Sequence, residues 1–165
     1  MTAFVHRLVL ALVLLAGAAR AAEPRPIRVL FLGHESTLHN SAAYLPLLMQ
    51  AMGREAIYFD YYTKPDCLNA ETLGHYDAVM LYANHGTIKP EEFTALNEFV
   101  ESGHGFLPIH CASACFGNDP RFIALVDGRF KEHQTGVFKA TIIDKAHPIM
   151  TGVNEYETSA GNRRH

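Results

Sequence analysis

The chain has 165 residues, with 14 Lys and Arg against 17 Asp and Glu, 48% hydrophobic residues and 19% charged ones. That length suits one domain with a core of its own, and the composition is that of an ordinary globular protein. A formal charge of −3 without a basic stripe excludes nucleic acid as a natural partner, and no repeat, heptad or low-complexity tract argues for a fibrous or disordered chain.

Residues 1–21 read as a secretory signal peptide outside the fold. Arg7 closes a short polar start, Leu8 to Ala19 is apolar, and Ala19-Arg20-Ala21 supplies a small-residue cleavage site. The apolar run is shorter than the roughly 20 residues of a comfortable membrane span; an uncleaved anchor is the alternative. Cleavage removes Arg7 and Arg20 and no acid, leaving 12 basic and 17 acidic groups and a charge of −5. The expectation is a periplasmic or secreted protein with no membrane span after cleavage. In such a compartment Cys67, Cys111 and Cys115 leave at least one thiol unpaired. Cys111 and Cys115 are four apart, a spacing at which a bridge within one helix strains disulfide geometry.

Ile27 to Leu32 (IRVLFL) is a compact apolar run closed by Gly33, the pattern of a buried strand, with His34-Glu35 directly after it. Asn40 or Ser41 can cap a helix whose apolar positions are Tyr44, Leu47, Leu48 and Met52, with Pro46 in its first turn and Gly53 at its end. Ala56 to Tyr61 (AIYFDY) reads as a second strand, and Thr63 to Glu71 as a loop with at most one helical turn. Tyr76 to Tyr82 (YDAVMLY) is a third strand followed by the loop Ala83-Asn84-His85-Gly86. Pro90 opens a helix with the stripe Phe93, Leu96, Phe99 and Val100, and Gly103 closes it. Gly105 to Ile109 is a fourth strand that climbs to His110-Cys111 and then to small residues, the pattern of a strand, a tight turn and a helix. Pro120 to Val126 suits a short helix, Val137 to Ile143 alternates like a half-exposed strand, and His147-Pro148 and Gly152 mark turns.

Strict alternation of strand and helix predicts right-handed crossovers and a mainly parallel sheet. The carboxyl ends of strands one, three and four then share an edge, carrying His34-Glu35, Asn84-His85 and His110-Cys111 to one crevice. Each histidine taken alone is as well explained by a backbone-satisfied residue near the core.

Read together, the segments VLFLGHE, YDAVMLYANHG, FVESGHGFLPIHCASACF, DGRFKEHQTG and DKAHPIMTGV resemble the ThuA-like (trehalose utilisation) family of the class I glutamine-amidotransferase-like superfamily. The likeness runs from about Ile27 to Glu157 and divides the chain into a signal peptide (1–21), a ThuA-like domain (22–157) and an atypical C-terminal tail (158–165). It implies an α/β, flavodoxin-like three-layer sandwich and a role in sugar catabolism. In its terms His110 stands where true amidotransferases carry their nucleophilic cysteine, while His34, Phe116, Phe130, His133 and His147-Pro148 match the family pattern. The sequence departs from that pattern in two places: Cys111 and Ala114 stand where members carry Ser and often Asp, and the polar end after Glu157 reads as a truncation or a frame-shifted end.

Four chemistries follow. A neutral imidazole exchanges protons near pH 7, so His110 and His34, with Glu35 as an orienting group or base, suit acid–base isomerisation or hydrolysis of a small-molecule sugar, trehalose or a keto-disaccharide. Asn84, His85, Cys111, Phe116, His133 and His147 are the candidate substrate-binding residues. Alternatively, His34, His110 and His133 offer three imidazoles to a divalent metal such as zinc, though no ligand-pair spacing marks such a site. Cys111 could serve as an amidotransferase-like nucleophile, but no late His-x-Glu is present to activate it. The last alternative is a non-catalytic carbohydrate- or partner-binding module using Tyr58, Tyr61, Tyr62, Tyr82 and Phe116; the sequence leaves oligomerisation open.

Overall fold

The computed structural model describes residues 25–34, 36, 39–132 and 136–158. The expected signal peptide, Glu35, His133 and the tail beyond Thr158 lie outside the described residues.

Four strands, β1 (Ile27–Gly33), β2 (Ile57–Tyr62), β3 (Ala78–Tyr82) and β4 (Gly105–Pro108), form one parallel sheet in the order β2-β1-β3-β4. Both faces of the central β1 are covered, which is why its sequence is continuously apolar rather than alternating. Leu30 and Leu32 face one core with Val79 and Leu81 of β3; Val29 and Phe31 face a second with Phe59, Ala78 and Met80. Helix α1 (Leu45–Met52) covers the second core, and α2 (Ala70–Leu73), α3 (Pro90–Glu101) and α4 (Pro120–Val126) lie on the first. The result is a three-layer, flavodoxin-like arrangement.

Local chemistry accounts for the boundaries. Pro90 occupies the first turn of α3, Glu92 turns its carboxylate back to accept the Lys89 backbone N–H at 2.8 Å, and Gly103 takes φ +96 after the last turn. Phe93, Leu96 and Phe99 are its buried stripe. Pro46 lies in the first turn of α1, as the sequence requires. The face of α1 differs from the expected one: Leu45, Leu48 and Met52 pack on the sheet, whereas Leu47 is 62% exposed. Leu48 and Met52 thus keep their expected side, Leu45 joins them, and Tyr44 falls in a 3-10 turn over Ser41–Tyr44 that precedes the helix.

Two further expectations change. The segment after β4 is a 3-10 turn over His110–Ala114, not an α-helix, because the chain must bend back toward the loop after β3. The strand expected over Val137–Ile143 is only β5 (Lys139–Ala140), paired antiparallel with β6 (Tyr156–Glu157). Val137 and Phe138 are about half exposed and Ile143 is fully exposed, so an alternating pattern meets no described layer on which to settle. No helix among the described residues is long and apolar enough to cross a membrane.

Candidate functional site: a histidine cluster at the sheet edge

The register places the candidate loops side by side. Gly33 at the end of β1 lies opposite Tyr82 at the end of β3, and Leu81 lies opposite Pro108 of β4. The chain therefore leaves the sheet at neighbouring points as His34, Asn84-His85 and His110. Since β2 lies to one side of β1 and β3 to the other, His34 and His85 flank the point where the strand order reverses, the place where parallel sheets open a crevice.

Four imidazoles meet there. Ring centroids are 5.7 Å apart for His34 and His85, 6.3 Å for His34 and His39, and 5.0 Å for His39 and His110. Tyr82 lies 5.8 Å from His110 and 5.8 Å from Tyr44, extending the cluster with phenol rings. His34, His85 and His110 were legible in the sequence. His39 was not singled out; the signal was available, since the loop between a strand and its crossover helix must lie over the same carboxyl edge.

Each member has its own support. Gly33 is required where it stands, because a Cβ there would collide with the Ser41 hydroxyl and the Tyr61 ring. The fully buried Ser41 accepts the His34 N–H at 2.8 Å, donates to the His34 carbonyl at 2.9 Å, and lies 3.0 Å from the Tyr61 hydroxyl. His34 Nδ1 faces the Asn84 backbone N–H at 3.4 Å, a long contact that assigns the lone pair to Nδ1 and the neutral ring's proton to Nε2. Nε2 is buried and has no hydrogen-bond partner among the described residues, an exception to the rule that buried polar atoms are paired. Burial, followed by the proximity of His85 and His39, holds His34 below the usual imidazole range.

His85 donates from Nε2 to the Gly33 carbonyl at 3.2 Å, which leaves its Nδ1 as the acceptor. Burial lowers its pKa, and the Gly33 bond only partly opposes this. Its backbone is stitched to the segment after β4: the His85 N–H meets Cys115 Sγ at 3.1 Å, and its carbonyl accepts the Phe116 N–H at 2.7 Å. Asn118 completes the stitch by exchanging two 3.0 Å bonds with the Ile88 backbone.

His110 takes φ +51, in the left-handed region that only Gly visits without cost. This is the tight turn that the sequence pattern implies, and it leaves His110 exposed above the sheet while the next residue, Cys111, is buried. Buried Cys111 has its thiol pushed up to about 11, far from the thiolate a nucleophile needs. Phe116 also corrects the expectation of a substrate-facing ring. It is fully buried, lies parallel to His85 at 6.1 Å and edge-on to Phe122 at 4.9 Å, and so forms the floor under His85. His147 makes no ring contact with the cluster; its Nδ1 accepts the Ile149 N–H at 3.3 Å and caps its own turn. Asn84 is exposed beside His34. Among the described residues no three His, Cys, Asp or Glu side chains are arranged to hold a metal ion, and the third candidate zinc ligand, His133, lies outside them.

A parallel sheet wound on both faces, with imidazole-bearing loops at its carboxyl edge and a strained histidine after the fourth strand, defines a flavodoxin-like α/β protein. Residues 28–160 match the family ThuA, described as trehalose utilisation, and the chain belongs to that family. Among solved structures it is similar to a ThuA-like protein from Bacteroides uniformis, at 18% identity and a TM-score of 0.60 over 87% of this chain. The chain spans 63% of that protein's length, and the likeness is one of fold. No curated protein matches it.

Proposed function

We propose that this protein acts in sugar catabolism as an exported acid–base catalyst, isomerising or hydrolysing trehalose or a keto-disaccharide at a histidine-lined pocket. The observation that carries the reading is the convergence of His34, His39, His85 and His110 at the carboxyl edge, with His110 held in a left-handed turn. The family's link to trehalose supports the substrate class. The apolar run Leu8 to Ala19 with its small-residue boundary supports export.

In this reading one neutral imidazole takes the proton from the carbon beside a ketone while the other donates to the ketone oxygen. Returning the first proton to the former carbonyl carbon, while the hydroxyl on the adjacent carbon gives its proton back to the donating imidazole, completes an isomerisation that needs no oxidant or reductant. His34, with its proton on Nε2 and its lone pair facing the Asn84 N–H, suits the donating role, and the exposed His110 suits proton abstraction. His85, committed to Gly33, positions rather than reacts. The test is a screen of keto-sugars and disaccharides with the wild type and His110→Ala. Turnover that is lost in the variant supports the proposal. Sugar binding without turnover, unaffected by His110→Ala, would instead identify a carbohydrate-binding module.

A further inference from the structure

A cleft of about 330 Å3 opens on the far side of His85, between the segment after β2 and the loop that enters α3. Its lining includes His85, Lys64, Asp66, Thr87, Lys89 and Glu92. The volume lies within the range of small-molecule sites, about 300–1,000 Å3. A larger cleft of about 540 Å3 shares the Asp66 and Lys89 side of this region but includes no histidine, so only the smaller one joins the cluster.

We propose that this cleft is a second sugar subsite, which holds the distal ring of a disaccharide whose other ring lies at the histidine cluster; it rests on the sugar reading above. His85 belongs to both places: it lines the cleft, and its ring centroid lies 5.7 Å from that of His34 in the cluster. The charges indicate the kind of ligand. Lys89 is paired with Glu92 at 3.3 Å, and Lys64 shares the cleft with Asp66, so two cations and two anions offset each other. A phosphate would meet as much repulsion as attraction. A neutral ring carrying several hydroxyls can instead donate to the Asp66 carboxylate and accept from Lys64 and Thr87 without an uncompensated charge. Thr87 and Asp66 are exposed, so their side chains are open to such a ligand.

Calorimetric titration of the full chain with trehalose and with glucose tests the subsite. The wild type is expected to prefer the disaccharide, and the double variant Asp66→Ala/Thr87→Val to lose about tenfold of that preference. Glu98→Ala, in the neighbouring cleft, serves as the control and keeps it. Thermal unfolding of each variant checks that the fold is retained. An unchanged preference in the double variant, with the wild type binding both sugars, overturns the subsite alone. Tighter binding of a phosphorylated disaccharide than of trehalose overturns the assignment to a neutral ring. A wild type that binds neither sugar overturns both the subsite and the sugar reading.

Discussion

His110 combines an exposed imidazole at the sheet edge with a left-handed backbone that side chains rarely adopt. A non-glycine residue in that region costs on the order of 1–2 kcal/mol. His110→Gly is therefore expected to raise the unfolding midpoint by about 2–4 °C while lowering keto-sugar turnover at least ~100-fold, as thermal melts and product analysis on one preparation would reveal. A midpoint that falls would mean the ring contributes more packing than the turn costs. The neighbouring imidazoles set the pH response. His34 and His85 have pKa values below the usual histidine value, so the folded state binds fewer protons than the unfolded chain as pH falls. Their contribution to stability is fully present above about 6.5, the unfolded value, and is lost as pH drops from there toward the depressed folded values. Melting midpoints measured from pH 8 to pH 4.5 should decline through that acid window, and His34→Gln should flatten part of the decline.

At the scale of elements, the site depends on how its loops are tied. Ser41, at the start of the turn before α1, holds both backbone groups of His34, and Gly33 leaves room for it. Ser41→Ala would leave the part-buried His34 N–H without its partner, while the His34 carbonyl keeps the backbone N–H of residue 41 at 3.3 Å, at a cost of about 1–3 kcal/mol in denaturant unfolding, with a matching loss of turnover. If stability dropped and catalysis did not, the link between this tie and His34's position would be disproved. The elements that the sequence revealed well were those with one dominant signal. The run Val29 to Leu32 reads as a strand because both its faces are buried, and α3 reads as a helix because Pro90, the Phe93-Leu96-Phe99 stripe and Gly103 agree. What escaped depended on contacts distant in sequence. Leu47 was assigned inward because both it and Leu48 are apolar and only the packing shows which of the two turns to the sheet, and Phe116 was taken for a ligand contact because its place beneath His85 follows only from the fold. His39 was passed over although its loop, between β1 and the helix that follows, must lie over the same carboxyl edge as His34.

Across the whole molecule, the sheet's order and the family likeness agree on architecture, while the described part after α4 contributes little to the two cores. Phe138, Ile143, Ile149, Val153 and Tyr156 all remain substantially exposed. The cores themselves enclose the thiols. Cys67, Cys111 and Cys115 are each 7% exposed or less, and burial pushes Cys67 and Cys115 up to about 12. Iodoacetamide at pH 7.5 is accordingly expected to modify none of the three in the native protein and all three in denaturant, with mass spectrometry as the readout. Rapid native labelling of Cys111 would revive the nucleophile alternative.

Three sequestered sulfhydryls also give unfolding a direction. An opening large enough to wet them, in a medium that favours disulfides, exposes partners for mispaired bridges that the closed chain never offers. Survival of the protein under such conditions is then governed by how often it opens, and a reducing agent should lengthen its half-life at high temperature without altering its equilibrium melting behaviour.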